Sequence, residues 1–185
     1  TDYEHVLSVY GCETDFYELD INQDYRLNMD DFIARLSDAY DMVILGNPNN
    51  PTSQVISKED IEKLAATCNK FGISLLVDEM YIEFTENYQC RTAISLVNTY
   101  ENLIILRSVS KFFSVPGLRL AYAIMNNETN MTIINMTATP NSISCLTAAA
   151  CTAMLEDKSY IRESHSRIFT ERNLIYSAMS TNKNL

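Results

Sequence analysis

Three short apolar runs constrain this chain more than any other feature: Met42-Val43-Ile44-Leu45, Ile73 to Val77, and Leu103-Ile104-Ile105-Leu106. Each is too short for a helix and is bounded by polar or turn-forming residues, which is the pattern of a strand buried within a sheet. The segments before and between them carry helical signals. Asn28 is placed to cap a helix from Met29 to about Ala39, with Phe32, Ile33 and Leu36 facing inward. Ser57 caps another, with Glu59 and Asp60 near its positive end, Ile61, Leu64, Ala65 and Cys68 on one face, and Gly72 at its close. Strand and helix therefore alternate. The architecture predicted is α/β, a three-layer α/β/α arrangement with a mostly parallel sheet.

The remaining elements follow from the same reading. Residues 1–11 form a helix ending at Gly11, with Tyr3, Val6, Leu7 and Tyr10 on one face, and Thr14 to Leu19 alternates as a strand. The first apolar run is expected to be covered on both faces. A short helix is expected near Ala93 to Tyr100, and a further strand over Leu120 to Met125. Residues 141–155 form a helix rich in small side chains. Tyr160 to Met179 reads as an amphipathic helix using Ile161, Ile168, Leu174, Ile175 and Met179, followed by a polar tail over residues 181–185.

Charge excludes two classes of partner. The chain has 185 residues with 24 acidic against 14 basic side chains, a formal charge of −10, and no block of like charges. Such a field repels nucleic acid and anionic membrane surfaces. The five cysteines are odd in number and contain no Cys-x-x-Cys pair, which fits buried thiols in a reducing cytoplasm. The two histidines, His5 and His165, lie far apart without ligand-like neighbours, so no metal site is expected. No apolar run approaches membrane-spanning length, and there is no signal-peptide pattern at the start.

Each apolar run ends in polar residues out of keeping with what precedes it. The first stops at Asn47-Pro48-Asn49-Asn50-Pro51-Thr52, the second at Asp78 with Tyr81 three residues on, the third at Ser108, Ser110 and Lys111. Parallel strands bring these ends to one edge, where open α/β sheets bind ligands. Arg119 follows Lys111 after a Pro-Gly turn able to return the chain toward the strand end. Hydroxyls, a guanidinium and an amine at one spot suit a phosphorylated cofactor beside a reactive lysine. Each residue also has a plain reading. Asn50 serves as a turn residue, Asp78-Glu79 as a strand end or cap, Tyr81 as core, Lys111 as a solvated surface residue, Arg119 as a surface ion-pair partner, and the two serines as strand terminators.

Taken together, Asn-Pro-Asn-Asn-Pro-Thr, Asp-Glu-Met-Tyr-Ile-Glu-Phe and Ser-Val-Ser-Lys…Pro-Gly-Leu-Arg resemble fold-type-I pyridoxal-phosphate enzymes. The subgroup most similar holds histidinol-phosphate aminotransferases and threonine-phosphate decarboxylases. The Asp-Glu-x-Tyr-Ile-Glu-Phe form leans toward the former, and Lys-Phe-Phe-x-x-Pro-Gly-Leu-Arg toward the latter. The resemblance implies pyridoxal 5′-phosphate bound covalently by Lys111, which would also move the proton at the substrate α-carbon. It implies Asp78 against the pyridine nitrogen, Asn50 and Tyr81 against the 3′-oxygen, and Ser108, Ser110 and Arg119 around the phosphate. It further implies a small-molecule amino acid, phosphorylated or not, and a 2-oxo acid as substrates, with a homodimeric parent.

Two departures accompany the resemblance. The family has Gly after Asn-Pro-Thr, whereas here Ser53 stands where a positive φ is wanted. The chain also matches only the middle and late part of the family's large domain. It is expected to be a fragment, with residues 1–156 in the cofactor-binding domain and residues 157–185 leading toward a small C-terminal domain. The aromatic stacked on the pyridine ring and the arginine gripping the substrate carboxylate fall outside it. The alternative functions are a decarboxylase of a phosphorylated amino acid and a non-catalytic α/β domain binding a phosphorylated ligand.

Overall fold

A computed structural model describes residues 2–181. In chain order it contains α1 (Asp2–Val9), α2 (Met29–Ala34), β1 (Met42–Gly46), α3 (Lys58–Phe71), β2 (Ser74–Asp78), α4 (Tyr88–Arg91), β3 (Leu103–Ser108), β4 (Ala121–Ile124), α5 (Glu128–Thr137), α6 (Cys145–Glu156) and α7 (Lys158–Ser180). The four strands form one sheet in the order β1-β2-β3-β4. The first three are parallel, with Val43 opposite Leu75 and Leu75 opposite Leu103, while β4 runs antiparallel to β3. The fold is three-layer α/β with a mixed, mostly parallel sheet.

The core sits between the sheet and α3. Successive strand side chains point to opposite faces, so Val43, Leu75, Val77, Leu103 and Ile105 share one face, and all belong to the main hydrophobic cluster. Against them α3 lays Ile61, Leu64, Ala65 and Cys68, all with no exposed surface. Burying one such leucine contributes about 2 kcal/mol. The cap signals read from the sequence hold. Ser57 Oγ accepts from the Asp60 amide at 3.1 Å, and Gly72 adopts φ 73 at the other end. On the opposite face α1 reaches the sheet edge through Tyr3, which bonds Asp78.

Several expectations are corrected. Residues 14–19 form no strand, because the sheet offers them no partner; instead Tyr17 bonds Asp31 of α2 at 2.8 Å, and Asp15 accepts from Tyr40 at 2.9 Å. The α2 helix stops at Ala34, not near Ala39, since Arg35 closes it by turning its amide to Phe32 and Ile33. The first run is not covered on both faces. β1 lies at the sheet edge and leaves Met42 42% exposed. Residues 94–98 take a tight 3-10 turn instead of an α-helix. A helix not anticipated, α5, is capped by Asn127. The small-residue helix α6 starts at Cys145, where Ser144 caps it. In α7 Ile161 and Ile168 are half-buried, but Leu174, Ile175 and Met179 are exposed. Of the polar tail, residues 182–185 lie outside the described residues.

Candidate active site

The carboxyl ends of β1, β2 and β3 meet at one edge because the strands are parallel and in register. Gly46 lies beside Asp78, and Asp78 beside Leu106, two residues before Ser108. The loop after β1 is fixed from within. Asn47 is fully buried and its side chain bridges to Ile56, accepting from the Ile56 amide at 2.9 Å and donating to its carbonyl at 3.3 Å. That bridge folds the loop so that Asn49, Asn50 and Ser53 line a cavity of about 630 Å³ together with Tyr81 and Phe84. Arg91 and Arg172 line its outer side.

The Asp78 carboxylate is oriented by two donors. The Met80 amide reaches Oδ1 at 2.9 Å, and the Tyr3 hydroxyl reaches Oδ2 at 2.7 Å. Burial, together with the bond to Asp78 and that carboxylate's charge, raises the Tyr3 hydroxyl well above the ordinary phenol range. At the end of β3, Ser108 Oγ and Ser110 Oγ lie 2.6 Å apart, and Ser108 also donates to the Leu120 carbonyl at 3.1 Å. Lys111 is exposed, with Nζ 5.9 Å from the centre of the Tyr81 ring. Arg119 follows the Pro116–Leu118 turn in a left-handed backbone, φ 50, next to the Leu120 carbonyl that holds Ser108.

The predicted residues are therefore linked in pairs around the edge: Asn50 with Tyr81, Tyr81 with Lys111, Ser108 with Ser110. Asp78 stands between the β1 and β3 ends, and Arg119, the residue before Leu120, is exposed without an ion pair among the described residues. Sequence reasoning missed Tyr3. Its place among the apolar residues of a helix face says nothing of a contact across 75 positions, which leaves no local signal.

A second group missed lies directly behind this edge. Glu79 has no exposed surface and Arg107 is 5% exposed. Arg107 Nε donates to Glu79 Oε2 at 3.0 Å, Nη2 donates to Thr92 Oγ1 at 3.0 Å, and Nη1 pairs with Glu83. Burial pushes the Glu83 carboxyl upward, and the Arg107 charge opposes that shift. An arginine inside the Leu103–Ser108 run interrupts the apolar pattern, which was the available signal.

The chain is similar to known proteins in both sequence and fold. A histidinol-phosphate aminotransferase of Clostridium acetobutylicum superposes with a TM-score of 0.90 at 31% identity, over 97% of this chain and 52% of that one. A histidinol-phosphate aminotransferase of Thermoanaerobacter is 37% identical over 82% of this chain and 43% of its own length. A Caldanaerobacter subterraneus protein named for threonine-phosphate decarboxylase is 31% identical over 92% of this chain and 46% of its own. The chain thus spans about half the length of the curated relatives it matches. The family model described as aminotransferase class I and II matches residues 1–184. With the motif residues gathered at one sheet edge and the family match running nearly end to end, the chain belongs to the class I and II aminotransferases.

Proposed function

We propose that this chain forms the cofactor-binding face of an enzyme that uses pyridoxal 5′-phosphate to move an amino group between an amino acid and a 2-oxo acid. The observation that carries the reading is the donor set at the strand ends: an exposed amine beside a tyrosine, an oriented carboxylate, paired hydroxyls and an exposed guanidinium. These fit an aldehyde, a basic ring nitrogen and a phosphate respectively. Bound there, pyridoxal phosphate supplies an electron-withdrawing ring that stabilises negative charge at the substrate α-carbon.

The roles of the chain's own groups follow. Asp78 holds a proton on the ring nitrogen, since a nearby carboxylate favours the cationic form. Its two fixed donors keep it aimed. Asn50 and Tyr81 hydrogen-bond the 3′-oxygen. Ser108 and Ser110 turn their hydroxyls to the phosphate, Ser108 releasing the Leu120 carbonyl to do so, and Arg119 adds a charge-assisted fork. Lys111 anchors the cofactor and then moves the proton at the substrate α-carbon. The names of the relatives favour a phosphorylated substrate. In this reading residues 157–185 lead from the cofactor-binding unit toward a further domain, and the enzyme works as a homodimer in the cytoplasm. Among the described residues no helix is long and apolar enough to cross a membrane.

The test is chemical trapping. Protein expressed from the complete reading frame that encodes this chain is incubated with pyridoxal phosphate, reduced with borohydride and mapped by mass spectrometry. Modification concentrated at Lys111 is expected, with its loss in Lys111→Ala. Incorporation spread evenly over Lys58, Lys63, Lys70 and Lys158 overturns the reading. A second reading, decarboxylation of a phosphorylated amino acid, is favoured by the Lys-Phe-Phe…Pro-Gly-Leu-Arg segment and by the Caldanaerobacter relative. Carbon dioxide release without a need for a 2-oxo acid would select it.

A further inference from the structure

Arg107 and Glu79 each sit one residue from a group of the proposed site. Glu79 follows Asp78, and Arg107 precedes Ser108. Side chains alternate across a strand, so while Asp78 and Ser108 belong to one side of the sheet, Glu79 and Arg107 project from the other and meet there. Their junction is closed on several sides. Thr92 Oγ1 donates to Glu79 Oε2 at 2.6 Å, the Ala93 amide donates to Oε1 at 2.7 Å, and the Glu79 amide itself bonds the Leu106 carbonyl at 2.9 Å. Arg107 meets Glu79, Thr92 and Glu83 through three different nitrogens. Glu83 lies in the segment that carries Tyr81.

We infer that this buried Arg107–Glu79–Thr92 junction is a clamp that sets the spacing between the β2 and β3 ends, and so positions Asp78 and Tyr81 relative to Ser108 and Lys111. The inference rests on the cofactor reading above for its functional consequence, but not for its geometry. A guanidinium is suited to this place because its rigid fork engages three acceptors at fixed angles, which an ammonium cannot do. A merely stabilising pair would be a poor choice, since buried ion pairs are often no better than apolar packing. Arg107, Glu79 and Thr92 are thus positioning residues.

The experiment compares Arg107→Lys and Thr92→Val with Leu64→Ala, a core variant under α3 that lowers stability away from the edge. All are made in protein from the complete reading frame and assayed well below their unfolding temperatures. Without cofactor, hydrogen exchange over residues 78–81 and 108–112 is expected to speed up in the two clamp variants and not in Leu64→Ala. With pyridoxal phosphate, the clamp variants are expected to bind about tenfold more weakly, with a displaced pH profile of the bound cofactor's absorbance. Leu64→Ala keeps the affinity and profile of the wild type. Unchanged exchange in folded Arg107→Lys overturns the clamp, as does wild-type affinity and pH profile in that variant. Should the wild type itself fail to take the cofactor at Lys111, the functional reading falls, while the exchange comparison still decides the clamp.

Discussion

Ser53 holds a left-handed backbone, φ 59, and its amide donates to the Asn49 carbonyl at 2.7 Å to close the loop that carries Asn50. A residue with a Cβ is disfavoured in that region, whereas glycine is not. Ser53→Gly is therefore expected to stabilise the fold by about 0.5–1 kcal/mol, less than the full relief because glycine also loosens the unfolded chain. Urea denaturation gives the sign directly. The departure from the family motif was legible in the sequence together with its backbone consequence. Tyr3 and the Arg107 junction were not. Local pattern tells which residues share a strand or a helix face, but carries nothing about a hydroxyl that meets a carboxylate from a distant turn.

Among the elements, α3 was read most fully because its signals are local: a capping serine, acids in the first turn, a four-residue apolar face and a closing glycine. Replacing Ser57 with Ala leaves the Asp60 amide without its acceptor and is expected to cost about 1 kcal/mol, measurable as a lower thermal midpoint. The supposed strand over residues 14–19 failed for the opposite reason. A strand needs a neighbour to bond, and the alternation there serves single contacts, from Tyr17 to helix α2 and from Asp15 to the loop after it. The α5 helix was missed because its apolar residues Met131, Ile133, Ile134 and Met136 lie largely exposed and give no one-sided stripe.

At the scale of the molecule, α7 is docked on the site by an aromatic cluster. His165 lies 4.9 Å from Phe112 and 5.1 Å from Tyr88, centre to centre, and Tyr160 stacks on Phe113 at 5.5 Å. Burial pushes the His165 imidazole below its ordinary value of 6.5, and its Nε2 has no partner among the described residues. The folded state thus prefers the neutral ring. The stability this gives is complete above about pH 6.5 and is lost as pH falls through the lowered value. Between pH 7.5 and 5.5 the wild type is expected to lose more of its urea midpoint than His165→Phe does. The parallel sheet, and the edge where its strand ends gather, were legible because three apolar runs each stopped at chemistry-bearing residues. Which helix lies over that edge was not, since docking is decided by packing between distant segments.

The reversal of β4 has one more effect. Ser108 and Ala121 are partners in the ladder, so the whole excursion between them leaves and re-enters the sheet at a single point. Its amine and its guanidinium ride on one handle with a shared root. A tilt of that handle carries both groups in the same direction, and insertions at its tip lengthen it without separating its feet.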